Sequence, residues 1–212
     1  MVPMDTLASD ISATAARMVV EEGLEYGAAK RRAVKQLGLP ARTALPGNDE
    51  VEEAVLEYIS VFCADTQPQE LRALRELALT WMARMAAFRP HLGGAVWRGT
   101  ATRLSDIYIQ LFCDDSKSAE IALIDFRVNY VPRTVTGFNG EPVDALSIHS
   151  FCEALGEEVG VHLLVYDYDD LRGALKPHGT PPAKADSRGP LQNRAPRGDT
   201  TAVQFLLHDV PP

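Results

Sequence analysis

The stretch GAVWRGTATRLSDIYIQLF, residues 94–112, carries the pattern that decides the fold. Its two glycines punctuate a turn, Ser105 and Asp106 follow the turn, and apolar residues then alternate as in a β-strand. Residues i and i+2 of a strand point to the same side, so Asp106 shares its side with Tyr108. Two carboxylates at that spacing hold one divalent cation against the phosphates of a nucleotide.

Only one carboxylate is present at this spacing, because the second position is Tyr108. A phenol has an ordinary pKa of about 10 and keeps its proton at neutral pH, so it cannot replace a carboxylate as a ligand of Mg²⁺. The sequence therefore predicts a protein that keeps the shape of a nucleotide-handling site without its metal-dependent chemistry.

This stretch resembles the signature of the DNA polymerase β-like nucleotidyltransferase superfamily. Ala95 stands where active members usually have a serine that touches phosphate, and Tyr108 stands where they have the second metal-binding aspartate. The chain also resembles a group of proteobacterial proteins with N-terminal helices. The residue types that match the signature are those of Gly94, Ala95, Arg98, Gly99, Ala101, Thr102, Ser105, Asp106 and Ile107.

The resemblance implies a set of site residues. Asp106 is the expected metal ligand and a catalytic carboxylate, and Asp144 is the expected third carboxylate of the superfamily, with Asp167 as the other candidate. The implied cofactor is Mg²⁺ with a nucleotide, and the alternative is no cofactor. An anion is expected near Gly94, Arg98, Gly99, Thr100, Thr102 and Ser105, with Arg98 supplying positive charge.

The fold class expected from the pattern is α+β, with an N-terminal helical region packed on a small mixed β-sheet of nucleotidyltransferase type. Helical periodicity runs through residues 1–90, and a further helix is capped by Ser116 or Asp115. A β-hairpin is expected with Asn139-Gly140 at its tip. The predicted strands are 93–99, 106–113, 129–136, 143–150 and 160–167, and the predicted interior includes Val96, Ile107, Ile109, Leu111, Ile121, Leu123, Leu163 and Val165.

The same pattern divides the chain into four segments. Residues 1–90 form a helical region and residues 91–175 a nucleotidyltransferase-like domain. Residues 176–199 form a flexible loop that is rich in proline and basic residues, and residues 200–212 form a C-terminal strand or tail, with a short helix as the alternative to the strand.

Bulk properties of the 212-residue chain narrow the classes of function. A formal charge of −8 disfavours broad nucleic-acid binding, which needs a basic face, so nucleic acid is a weak ligand at most. The first ten residues lack the features of a signal peptide, no apolar run reaches membrane-spanning length, and three scattered cysteines fit a reducing compartment. We therefore expect a cytoplasmic protein without a membrane partner.

Three functions remain open at this point. The first is a catalytically degenerate nucleotidyltransferase-fold protein that binds a nucleotide or a protein partner. The second is an active nucleotidyltransferase in which Asp114, Asp115 or Asp144 completes a rearranged metal site. The third is a helical adaptor or homodimerisation protein without a ligand. His149 and His162 alternate with apolar residues in predicted strands, which is typical of structural or surface histidines.

Overall fold

The structure, a computed structural model, describes residues 4–138, 140–171 and 197–208. It confirms the α+β class and divides into two compact units. The first unit contains the described residues up to Leu71 together with Thr100–Ser105. The second contains Arg72–Gly99 and the described residues from Asp106 onward. The boundary between the two units, between Leu71 and Arg72, lies inside the helix Gln67–Arg84, whereas the sequence analysis placed a domain boundary near residue 90.

The first unit is built on helices α1 (Met4–Glu22), α2 (Tyr26–Gln36) and α3 (Asn48–Phe62), and helix α4 (Gln67–Arg84) begins in it. These bounds confirm the helical pattern of the N-terminal region. The N–H of Gly47 donates to Glu50 Oε2 at 2.6 Å and fixes the start of α3. The apolar sides of α1, α2 and α3 share one core, which includes Ile11, Ala15, Met18, Ala33, Val51 and Val55.

The second unit is built on a five-stranded mixed sheet in the order β1-β2-β5-β4-β3. Strands β2 and β5 are parallel, and every other neighbouring pair is antiparallel. The strands are β1 (His91–Gly93), β2 (Ile107–Cys113), β3 (Val131–Thr136), β4 (Pro142–Cys152) and β5 (Glu157–Asp167). Four of the five predicted strands are therefore confirmed, and β3 and β4 form the predicted hairpin. Asn139, expected at its tip, lies outside the described residues.

One face of the sheet forms the core of the second unit. The buried residues on this face of β2 and β5 alternate with less buried ones, apart from Phe112 and Tyr166 near the strand ends, which are also buried. Helix α4 covers part of this face, where the indole N–H of Trp81 donates to Ser150 Oγ at 3.0 Å. The opposite face carries the half-buried Tyr108, Gln110, His162 and Leu164 beside a small buried cluster of Phe112, Val143 and Tyr166, and it is called the open face below. The core face includes Ile107, Ile109, Leu111, Val161, Leu163 and Val165.

Two predictions in this region are wrong. The segment 93–99 is a helix, α5 (Gly94–Arg98), rather than a strand. Gly94 has a φ of +66° and Gly99 a φ of +90°, and these left-handed conformations bend the chain at both ends of α5. Ile121, on helix α6 (Ser116–Asp125), is 54% exposed rather than buried. It lies two residues from the buried Leu123 and so points to the other side of the helix.

The C-terminal segment is helix α7 (Thr200–His208), so the predicted strand is wrong and its helical alternative is correct. Asp199 Oδ1 accepts a hydrogen bond from the N–H of Ala202 at 2.8 Å, which caps the helix. The predicted loop 176–199 lies outside the described residues except for its last three positions. None of the helices in the described ranges is long and apolar enough to cross a bilayer.

Candidate functional site

Gly94, the first glycine of the stretch 94–112, joins β1 to α5 and packs against Tyr108 on the open face. A Cβ added to Gly94 would lie 3.5 Å from Cδ2 and 3.8 Å from Cβ of Tyr108, so the glycine backbone lies beside the base of this side chain. The N–H of Gly99 donates to the carbonyl of Ala95 at 2.8 Å and closes α5. Gly94 and Gly99 both have positive φ values, which glycine adopts without strain. Arg98 is the last residue of α5.

The six residues that the sequence proposed for an anion divide between the two units. Gly94, Arg98 and Gly99 belong to the second unit, and the other three to the first. In the first unit, Ser105 Oγ accepts a hydrogen bond from the N–H of Thr102 at 3.1 Å and closes a local turn. The hydroxyls of Thr100 and Thr102 are buried and have no hydrogen-bond partner among the described residues. The hydroxyl of Ser105 is therefore used in a hydrogen bond within its own loop.

Asp106 immediately precedes β2 and lies level with Gly160 on the neighbouring β5. Its Oδ2 accepts a hydrogen bond from His162 Nε2 at 3.1 Å. This hydrogen bond and the charge of His162 lower the pKa of the Asp106 carboxyl, and the backbone N–H of Gly160 and the more distant His149 act in the same direction. Partial burial opposes them. The remaining carboxylate of the motif is therefore partnered by an imidazole.

The second ring nitrogen of His162 has a partner as well. Its Nδ1 lies 2.9 Å from Ser147 Oγ. The His162 ring also lies beside the Tyr108 ring, with the ring centroids 4.9 Å apart and the planes inclined by 31°. Tyr108, His162 and Ser147 are directly opposite one another on the adjacent strands β2, β5 and β4, so the strand register itself forms this row.

The row lies at the accessible end of the open face. Tyr108, Ser147 and His162 are half-buried, and Asp106 and His149 are exposed. The side chain of Asp106 is 48% exposed and that of His162 is 22% exposed. We call these five residues the Asp106 cluster. Its groups combine one carboxylate, two imidazoles, one hydroxyl and one phenol, which supply hydrogen-bond donors, acceptors and an aromatic surface to a ligand.

The structure does not bring Asp144 to this cluster. Asp144 is an odd number of residues from Ser147 on β4, so it projects from the core face of the sheet. It also pairs with Val165, five residues along β5 from Gly160, which corresponds to about 16 Å at ~3.3 Å per residue. Asp167, the other sequence candidate, is two residues farther along β5 on the same core face.

The carboxylates proposed for a rearranged site lie at the far end of β2. Asp114 follows that strand, and Asp115 caps α6 by accepting the N–H of Lys117 at 3.0 Å. Strand β2 runs without interruption between them and Asp106, and eight positions at ~3.3 Å correspond to about 26 Å. Neither residue reaches the Asp106 cluster.

The groups around Asp106 do not fit Mg²⁺. This cation takes oxygen ligands in octahedral geometry, whereas Asp106 is partnered by an imidazole and a backbone N–H. Among the described residues, no three His, Cys, Asp or Glu side chains are grouped so that they could hold a metal ion. We therefore derive no step through a metal at this site.

Sequence reasoning proposed Asp106 as a site residue but did not find Ser147 or its contact with His162. The alternation of His162 with apolar residues indicates only that its side chain leaves one side of a strand. Ser147 and His162 face each other across the consecutive strands β4 and β5, whereas the contact of His162 with Asp106 depends on β2 and β5 being parallel neighbours although three elements separate them in the chain. No local signal specifies the pairing of β2 with β5. Comparisons with models of known families, with curated proteins and with solved structures found no match for this chain.

Proposed function

We propose that this chain is a nucleotidyltransferase-like protein that binds a nucleotide on the open face of its sheet and lacks metal-dependent transfer. One observation carries the proposal: Asp106, the single carboxylate of the motif, is hydrogen-bonded to His162 at 3.1 Å. A cation would have to displace this imidazole, and Tyr108 offers no second carboxylate to compensate.

The chemistry of the Asp106 cluster favours a nucleotide. Tyr108 and His162 present neighbouring half-buried rings, and base stacking on such rings contributes ~1–3 kcal/mol. Asp106, Ser147 and His149 surround the rings with hydrogen-bonding groups of the kind that recognise base edges and hydroxyls. The resemblance of residues 94–109 to the nucleotidyltransferase signature supports the same ligand class.

Isothermal titration calorimetry with ATP, CTP, GTP and UTP tests the proposal, each with Mg²⁺ and with EDTA. We expect heat with at least one nucleotide and the same affinity under both conditions, because the protein contributes no metal site. Tyr108→Ala should weaken that binding about tenfold, as loss of one stacking contact predicts. Tyr130→Ala, which removes a half-buried tyrosine bonded to Glu120 elsewhere in the unit, is the control. Absence of heat, or heat that requires Mg²⁺, would contradict the proposal.

A protein partner or a second copy of the chain is a further candidate for the helical region. Val61 and Phe62, at the end of α3, are 64% and 67% exposed. Adjacent exposed apolar side chains of this size favour an interaction surface. Light scattering after size-exclusion chromatography tests this function, and a monomer that Phe62→Ser leaves unchanged, with no co-purifying protein, would contradict it.

A further inference from the structure

We propose that Ser147, His162 and Asp106 form a nucleophilic triad in which Ser147 Oγ accepts an acyl group from an ester. This activity goes beyond nucleotide binding and does not depend on it. The open face would then serve metal-free covalent chemistry.

The hydrogen-bond geometry meets the two requirements of such a triad. Ser147 Oγ lies 2.9 Å from one ring nitrogen of His162, and Asp106 Oδ2 lies 3.1 Å from the other. A nucleophile and its base need a separation of about 2.6–3.2 Å, with a third group that orients the base. Both distances in the cluster fall in that range.

The carboxylate sets the tautomer of the histidine. An ionised carboxylate only accepts hydrogen bonds, so the proton of the neutral His162 ring belongs on Nε2, which faces Asp106. The other nitrogen, Nδ1, is then left to accept the hydroxyl proton of Ser147. Ser147 is therefore placed against the basic nitrogen and Asp106 against the N–H, which is the functional order of a triad.

Strand pairing brings the three groups together. Ser147 and His162 face each other in the antiparallel pair of β4 and β5, and Asp106 lies where β2 begins beside β5. Sites on strands are held more accurately than sites on loops. Gly160 completes the arrangement, because a Cβ at this position would lie 2.5 Å from Asp106 Oδ1. The lack of a side chain at Gly160 thus makes room for the carboxylate beside His162.

The proposed step balances in atoms and charge. A bond forms between Ser147 Oγ and the ester carbonyl carbon while the hydroxyl proton moves to His162 Nδ1. The bond from that carbon to the alcohol oxygen then breaks, and the departing oxygen takes the proton from His162. Between these two proton transfers, Asp106 stabilises the imidazolium form of His162. Water repeats the sequence on the acyl-serine, which releases the carboxylic acid and restores Ser147.

The experiment uses a phosphonofluoridate probe on the full chain, with intact-mass and peptide mass spectrometry. Attack by Ser147 displaces fluoride and leaves one phosphonyl group on the protein. We expect a single addition located at Ser147, absent in Ser147→Ala and at least 100-fold slower in His162→Gln and Asp106→Asn. Ser150→Ala is the matched control, because Ser150 lies on the opposite face of β4 and accepts from Trp81. Its labelling should equal that of the wild type.

Circular dichroism of each variant shows whether the fold is kept, and Asp106→Asn, at an exposed position, provides the test if the His162 variant unfolds. Absence of labelling, labelling at another serine, or equal rates in wild type and a folded Asp106→Asn would overturn the triad. Nucleotide calorimetry is a separate readout. A labelled protein that binds no nucleotide refutes only the proposed function, and a nucleotide-binding protein that resists the probe refutes only the triad.

Discussion

At the scale of single residues, the contact between Asp106 and His162 is the feature of the open face that has a measurable electrostatic effect. The pKa of Asp106 is lowered chiefly by the hydrogen bond from His162. His162→Ala should therefore raise that pKa towards the ordinary value of 3.8. A pH titration of the Asp106 carboxyl carbon by nuclear magnetic resonance measures the shift. The same titration of Glu120, whose pKa is lowered by hydrogen bonds from Tyr130 and Lys117 rather than by His162, should be unchanged and serves as the control.

The direction of the shift also sets a pH dependence of stability. Because the folded-state pKa of Asp106 is lowered, its ionised form is favoured by folding, and this stabilisation is complete above the unfolded value near 3.8. It is lost as the pH falls from there through the lowered folded value. Since Asp106 is half-exposed, we expect Asp106→Asn to cost at most ~1 kcal/mol at pH 7 and less at pH 3, by urea denaturation. An equal cost at both pH values would contradict this assignment.

Gly160 is the second residue that the cluster requires. A Cβ there would lie 2.7 Å from Cγ of Asp106, so Gly160→Ala should turn the carboxylate away and break its contact with His162. We expect the pKa of Asp106 to rise and probe labelling of Ser147 to slow to the level of Asp106→Asn. Gly93→Ala is the control, because its nearest neighbour, Gln110 Nε2, would be 3.9 Å away. If Gly160→Ala labels at the wild-type rate, the carboxylate has no part in the site.

At the scale of elements, the sequence predicted the elements that depend on neighbouring residues and missed the contacts that depend on residues far apart in the chain. Strand β2 and helix α6 were predicted from local periodicity and a cap, and the structure has both. Residues 94–98 misled the prediction because three apolar residues between glycines suit a strand as well as a helix. The choice depends on the positive φ values at Gly94 and Gly99, which composition allows but does not specify. The contact of Asp106 with His162 depends on the pairing of β2 with the distant strand β5, and no local pattern specifies that pairing.

The cap of α6 can be tested as an element of its own. Asp115 Oδ1 accepts the N–H of Lys117 at 3.0 Å, and loss of such a cap costs ~1 kcal/mol. Asp115→Ala should therefore lower the free energy of unfolding by about that amount in urea denaturation. Asp114→Ala removes the same charge one residue earlier, outside the cap, and should change the free energy by less than half as much. Equal effects would indicate that charge, not the cap, matters here.

At the scale of the whole molecule, the two units have separate cores, and this separation should appear when one core is weakened. Val55, on α3, is fully buried among helices of the first unit, so Val55→Ala should cost ~2–3 kcal/mol, because it leaves a cavity behind. Hydrogen exchange should then quicken in α1, α2 and α3, while the amides of β2 and β5 keep their protection.

Val61→Ala removes the same two methyl groups from the same helix at a side chain that is 64% exposed, and should change stability by less than ~0.5 kcal/mol. The reciprocal change, Ile109→Ala, removes a fully buried side chain from β2 and should quicken exchange in the sheet before the helices of the first unit. If either core substitution quickened exchange equally in both units, the units would unfold together. The proposed nucleotide binding and Ser147 labelling would then fall with Val55→Ala as well, whereas two separate cores predict that both persist.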